Sequence, residues 1–447
     1  MPMVLRCGTR AQYLHAPSTS AHLHAPSTSA HQHASALPQA PAQFPDRRTR
    51  VNASKNTSMK PLPETDISQV QQALPSTCEQ FVHTLRTTIE RHHLAHPHTP
   101  VLLMVSGGSD SCALAYAAWL LRERGALQHL AMLHVNHCLR GLDSDADAAF
   151  VQRLAAHLNI PLFSCRIDIA QMVRDEQGNM EAIARRERYR AAQEALESFC
   201  THCQLAPSHG VFCTAHTAND RAEAFFMRSI VGTGPGGFRA MRYRNGQCIR
   251  PLLDVSREQA RAFLRAFPHV LPDEQGELWR EDATNANTDH FRAYVRHTLV
   301  PAAEKWNPQF LTVLTRSMNL IADEDDFLES LAHDIACNQV TWLDEGAGLG
   351  CVYQHGFLLA PQLGTYHLAL CRRVVLQALK RMLGNDARIE TASVQAILCG
   401  FAYDETSGAC HMNSGYVANI QGNYAVSANK QGVRVEPMSA FRARRKK

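Results

Sequence analysis

The stretch from Val101 to Ser111, VLLMVSGGSDS, limits what this chain can fold into more than any other. A short apolar run bounded by Gly and Ser, followed at once by SCALAYAAWLLRERG, reads as a buried parallel strand, a tight turn and a helix N-terminus. Such a turn is an anion site. Gly107 and Gly108 let the backbone come close to a ligand, and Ser106, Ser109 and Ser111 offer hydroxyls beside Asp110. The unpaired N–H groups and dipole of the helix favour a phosphate. The loop has neither the GKS/T of a Walker A loop nor the spacing of GxGxxG. A Ser/Gly-rich turn without a ligand is the bland alternative, and the strand and helix on either side weigh against it.

From residue 66 the chain is periodic. Residues 68 to 93 read as a helix, and strands near 101–105, 129–135, 161–167 and 211–215 alternate with helices. This predicts an α/β fold with a doubly wound parallel sheet, whose ligands bind outside the carboxyl ends of the strands. Beyond Pro301 the pattern turns helical. Pro308 to His333, with the acidic run Asp323 to Asp326, and Thr365 to Leu383 have helical apolar spacing. CVYQHGFLL reads as strand-like and SGYVANIQGNYAVSA as a hairpin. A smaller helical or α+β C-terminal domain is expected, with Arg372, Arg373, Lys380 and Arg381 on a helix that phosphates could use.

The 447 residues leave room for two or three domains. The formal charge of +4 and the basic end, Arg442 to Lys447, permit an RNA partner without requiring one. The 14 cysteines are scattered through helix-like and strand-like runs, so they read as reduced thiols of a cytoplasmic protein. No uncharged run approaches the roughly 18 residues needed to cross a membrane. Residues 1–70 differ from the rest. LHAPSTSAH occurs twice in tandem, at Leu14 to His22 and Leu23 to His31, in a segment rich in Ala, Ser, Pro and His that cannot bury enough surface to fold. It is Ser-rich and acid-poor like an organellar transit peptide, but its prolines oppose an amphipathic helix. Met59 offers an alternative start, and the segment reads as a dispensable disordered tail.

SGGSDS resembles the pyrophosphate loop of the ATP-pyrophosphatases, which cleave ATP between the α- and β-phosphates. Further motifs follow: LHVNHCLRGLDSDADAAFV after the second strand, ARRERYRA from Ala184, CTAHTANDRAEAFFMRSIVGTGPGGFRAM from Cys213, IRPLLDVSREQ from Ile249, WREDATN from Trp279 and FRAYVRHTLVP from Phe291. In this order the set, over roughly residues 97 to 305, is similar to the tRNA(Ile)-lysidine synthetase family. The resemblance implies a ligase that uses ATP and Mg2+ to adenylate C2 of the wobble cytidine of tRNA(Ile). The amine of L-lysine then displaces AMP. With the compositional tail over 1–70, it implies a catalytic domain over 71–305 and a tRNA-binding region over 306–447. Another ATP-pyrophosphatase such as a tRNA thiolase, or an inactive tRNA-binding relative, are the alternatives.

The resemblance assigns nucleotide binding to Ser106, Gly107, Gly108, Ser109, Asp110 and Ser111, with Asp110 holding the cation or orienting the loop. Arg185 and Arg188, three apart on one helix face, are expected to neutralise phosphate, although a solvated face is the default for such a helix. His216, at a strand end, is expected to meet the nucleotide. Asp220 and Glu223, three apart at a helix start, match the acids that recognise lysine, and an acid there also caps the helix. The chain departs from the family's HHxDDQxET at Asn219, Arg221 and Ala224, and reads Arg292-Ala293 where RN is usual. GTGPGGFRAM is either a closing loop or a passive connection. Cys200 and Cys203 have CxxC spacing but follow ARRERYR, whereas in the thiolases the pair precedes the corresponding helix. They therefore read as structural thiols, and no metal ligand is assigned.

If residues 1–58 are a tail, a chain beginning at Met59 should keep its melting temperature and its turnover. A large drop in either shows that the segment is structural.

Overall fold

The computed structural model describes residues 52–53, 74–281, 291–343, 355–384, 387–403 and 410–446; most of the expected tail lies outside them. The strand expected at 101–105 is β1, Val101–Met104. Val101, Leu103 and Val105 enter a core on one face of the sheet, and Leu102 and Met104 one on the other. That two-residue alternation, apolar on both sides, is what a strand buried between two helical layers requires. β1 lies parallel between β2 (Leu130–Asn136) and β4 (Val211–Cys213). β2 continues to β3 (Leu162–Arg166), and β4 to β6 (Cys248–Ile249), with β5 (Arg244–Asn245) antiparallel at the edge. Asn52–Ala53 pairs antiparallel with β3 at the other edge. The chain moves outward in opposite directions from β1, so the topological switch lies between β1 and β4, at the end of VLLMVSGGSDS.

Helices α1 (Ser76–Arg91), α2 (Ser109–Glu123), α3 (Leu142–His157) and α7 (Arg257–Ala266) contribute to the core on one face. α4 (Ile169–Glu176) and α5 (Met180–His202) cover the other. α2 is buried along nearly its whole length because α1 and α7 pack over it. Its N-terminus is therefore fixed at the sheet's switch point. α6 (Ala218–Val231) leads to the loop GTGPGGFRAM.

The helical stretch 291–306, with a π turn at Val295–Leu299, precedes the 30-residue helix α8 (Phe310–Gln339). A five-stranded antiparallel sheet follows, made of β7 (Val340–Trp342), β8 (Phe357–Leu359), β11 (Val417–Ile420), β12 (Tyr424–Asn429) and β13 (Gly432–Pro437). Its order is β11-β12-β13-β8-β7, so the expected hairpin is β11–β12. A short pair, β9 (Phe401–Tyr403) and β10 (Cys410–Met412), stands apart from it. α9 (Leu368–Leu383) packs on this domain's core. The boundary expected at 305/306 falls just before a helix shared by both parts. Leu314 and Met318 join the cluster under α6, while Ala332 belongs to the C-terminal core.

A buried ion triad ties these pieces together. Asp325 of α8 accepts from Arg239 Nη1 at 2.5 Å and faces Arg373 Nη2 of α9 at 2.7 Å, while Arg239 Nη2 reaches Asp326 at 2.8 Å. Burial pushes the Asp325 carboxyl up, but hydrogen bonds from Arg373 and Arg239 outweigh it and hold the acid below its ordinary range. Gly236 lies so close that a Cβ there would sit 2.5 Å from Asp325 Oδ1, and Arg228 Nη1 donates to Gly237 O at 2.6 Å. The Gly-rich loop is thus pinned to α8, which favours a fixed connection over a closing flap. Arg373, expected to meet phosphates, is instead engaged by Asp325 and Glu329, whereas Arg372, Lys380 and Arg381 are exposed.

Asp325→Ala leaves two largely buried guanidiniums without their shared partner and is expected to cost about 3–5 kcal/mol of stability in urea denaturation. Replacing Arg239 and Arg373 by Met in the same chain should recover most of that loss.

Candidate active site

The loop after β1 is built by its glycines and serines. Gly107 has φ +96°, a conformation side chains with a Cβ rarely adopt. Gly108 is the N-cap of α2 in extended conformation and supplies no side-chain cap, which leaves the first N–H groups of that helix facing the loop. Ser111 Oγ donates to Gly108 O at 3.0 Å and accepts from Ser106 N at 3.3 Å, with the Ser106 hydroxyl 3.2 Å away. Arg280 backs the turn. Its N–H donates to Gly107 O at 2.9 Å, and its guanidinium is held by Asp147 at 3.0 Å and Asp273 at 3.3 Å. WREDATN also carries the acids Glu281 and Asp282, to which no chemistry is assigned from the sequence. Glu281 is exposed, Asp282 lies outside the described residues, and the contact to the loop comes from Arg280.

A charge cluster faces this loop. Arg257, the first residue of α7, stands 3.3 Å from Asp110 Oδ2, 3.5 Å from Asp220 Oδ1 and 3.6 Å from Glu223 Oε1. Ser256 and Gln259 form a capping box that fixes Arg257 at the helix start. From the other side, Arg292 donates to Glu223 at 2.9 Å and Asp220 at 3.1 Å, and Arg296 donates to Glu223 at 2.7 Å. Arg296 sits in the π turn, a widened coil frequent at functional sites. Asp220 also accepts from Thr217 N–H at 2.8 Å and caps α6. Burial pushes its carboxyl up, but Arg257, His216, the Thr217 amide and Arg292 together bring it below its ordinary value. Asp110 goes the other way: burial raises its pKa, and Arg257 only partly offsets this.

Asn219 explains one departure. Its Oδ1 accepts the Arg257 N–H at 2.8 Å, so the residue keeps an acceptor for the start of α7 without adding a negative charge. Arg221 is fully buried and donates to Tyr243 Oη at 3.1 Å, whose hydroxyl in turn reaches Asp254 at 2.5 Å. Ala224 packs in the apolar cluster under α6.

His216 follows β4 and bonds Thr214 Oγ1 through Nδ1 at 2.8 Å. Burial, opposed by Asp220 and aided by Arg250, Arg292 and Arg185, pushes its pKa down to about 4. It is therefore neutral at pH 7. Arg185 is exposed on α5, stacks over Tyr189 with 4.8 Å to the ring centroid and donates to Tyr189 Oη at 3.0 Å. The buried Arg250 donates to the same oxygen at 3.2 Å. Arg185 is thus held by Tyr189 within electrostatic reach of His216; Arg188, also exposed, lies beside His137.

A family profile described as a PP-loop domain matches residues 78–303, just over half of the 447. The chain belongs to this PP-loop family. Among curated relatives, a tRNA(Ile)-lysidine synthase from Symbiobacterium thermophilum is 34% identical over 67% of this chain and 59% of its own length. One from Solibacter usitatus is 31% identical over 67% and 60%. The chain thus spans about three fifths of the relatives it matches. Among solved structures, a U34-tRNA thiolase from Methanococcus maripaludis is 16% identical, with a TM-score of 0.42, over 55% of this chain and 79% of that one.

In this PP-loop domain, Asp110, Asp220 and Glu223 gather around one guanidinium, with His216 close enough to feel Asp220. The sequence reading assigned no role to Arg257, Arg250 or Arg280. The first two had a signal, because each follows a strand or cap at the ligand-bearing edge of the sheet. Arg280 lies within the WREDATN motif, but nothing in that motif's residues says that it closes on the loop after β1.

The depressed histidines set a pH dependence. His216 and His137, both pushed to about 4 by burial, take up protons in the unfolded chain near their ordinary 6.5 before they do so in the fold. Stability should be flat above pH 7 and fall as pH drops from about 6.5 towards 4. His216→Asn should make that slope shallower by about one proton in urea titrations. An unchanged slope means that His216 is not held neutral.

Proposed function

We propose that the chain is an ATP-dependent ligase that joins lysine to C2 of the wobble cytidine of an isoleucine tRNA, through an adenylated cytidine, with release of AMP and pyrophosphate. The observation that carries this reading is a PP loop at the sheet's switch point whose Asp110 shares Arg257 with a buried acidic pair. The curated relatives support the choice of substrates. In this reading the N–H groups of α2 and the hydroxyls of Ser106, Ser109 and Ser111 hold the pyrophosphate, which orients the α-phosphorus toward the base. Arg257, beside Asp110 of the loop, is the cation assigned to the negative charge that develops as pyrophosphate leaves. Held neutral, His216 adds no further cation to the site and offers a hydrogen bond there.

Asp110, whose carboxylate oxygens are hard donors held by Ser109 and Arg257 at 3.2–3.3 Å, would hold Mg2+ together with the phosphates of ATP. When bound it would offset the charge of the leaving pyrophosphate. Asp220 and Glu223 are the lysine-recognising acids in this reading. Their charges are already matched by arginines, so the substrate's ammonium must displace one. Arg292 is the most exposed of the three, with 39% of its side chain accessible against 22% for Arg257 and 23% for Arg296, and it is the one assigned to withdraw.

AMP release measured with and without tRNA(Ile) and lysine tests the proposal. Release that needs both supports it; a requirement for a sulfur donor points to a thiolase, and no release to an inactive tRNA-binding protein. Glu223→Gln should raise the KM for lysine by about tenfold or more while leaving ATP binding intact. Asp110→Ala should abolish AMP formation at any lysine concentration.

A further inference from the structure

Among the described residues, one face of α8 is left uncovered. Val313, Leu320 and Phe327, seven residues apart, are 45%, 60% and 64% exposed, while Leu314, Met318, Asp325 and Ala332 of the same helix are buried. At about 100° and 1.5 Å per residue, a seven-residue repeat makes a nearly straight stripe that drifts only about 20° per step. Arg316 and Asp323 flank it on one side, about 6 Å before and 4.5 Å after Leu320 along the axis; Ser317 and Glu324 flank it on the other. All four are exposed. Among the described residues Arg316, Asp323 and Glu324 form no ion pair, and Asp323 stands near His92, whose pKa burial lowers.

The pattern is complementary to itself. A second copy laid antiparallel, with a two-fold axis at Leu320, sets Leu320 against Leu320 and Val313 against Phe327. The same operation brings Arg316 opposite Asp323, within about 2 Å along the axis, and Ser317 opposite Glu324. Each of these last three contacts occurs twice, as an isologous interface demands. We propose that this face of α8 joins two copies of the chain. An RNA partner is disfavoured, since the acids Asp323, Glu324 and Asp326 crowd the stripe and Arg316 is the cation among them. Apolar residues set at regular spacing with opposite charges on one flank are what a helix pair needs.

Sedimentation equilibrium of the full chain tests this. A reversible dimer is expected. Leu320→Lys should give a monomer with an unchanged thermal transition, because Leu320 supports neither core. Arg316→Asp alone should weaken the dimer by about tenfold or more, and adding Asp323→Arg should restore it. If Leu320→Lys fails to fold, the charge exchange decides. A chain that is monomeric at every concentration overturns the proposal, as does a dimer that withstands the single substitutions or a double variant that does not recover.

Discussion

The organisation of this molecule depends on Arg257. A single guanidinium, set at the first residue of a helix by a capping box, faces carboxylates from the loop after β1 and from the start of α6. Without it, three acids would stand close together in a largely buried space, where like charges are costly. With it and the two arginines of the 291–306 stretch, carboxylates and guanidiniums balance three to three. The balance also joins segments far apart in sequence. The PP loop, α6, α7 and the helical stretch ahead of α8 meet at one charge cluster, so that disturbing any of them changes the electrostatics felt by the others.

Much of the nucleotide-binding half was legible in the chain itself. Each expected strand appears within a residue or two at either end, because strands buried on both faces write themselves as continuous apolar runs. The SGGSDS turn was readable for a similar reason: few sequences other than Gly and Ser permit that backbone next to a helix start. Asp220 and Glu223 were also placed on one face of a helix by their spacing alone. Their partners were not. Arg257, Arg292 and Arg296 come from elements tens of residues downstream, and a residue-by-residue reading has no term for which cation closes on which acid.

The C-terminal part shows the same division. Its two expected helices and its hairpin follow local periodicity and turn chemistry and appear near where expected, whereas the helices Thr391–Leu398 and Met438–Arg445 were not anticipated. The fate of Arg373 did not follow from its helix, since on sequence it resembled its neighbour Arg372. Only tertiary contact separates them: one faces Asp325 across α8, the other faces solvent. Asn219 is a parallel case. Read as a lost acid, it suggested damage to the site. In place it is an acceptor for a backbone amide, a function that depends on shape rather than charge.

α8 lends one end to the cluster beneath α6 and the other to the C-terminal core, so one helix completes apolar packing on both sides. A cut between them exposes apolar surface on both sides, so selection on the stability of either half acts on the sequence of the same helix.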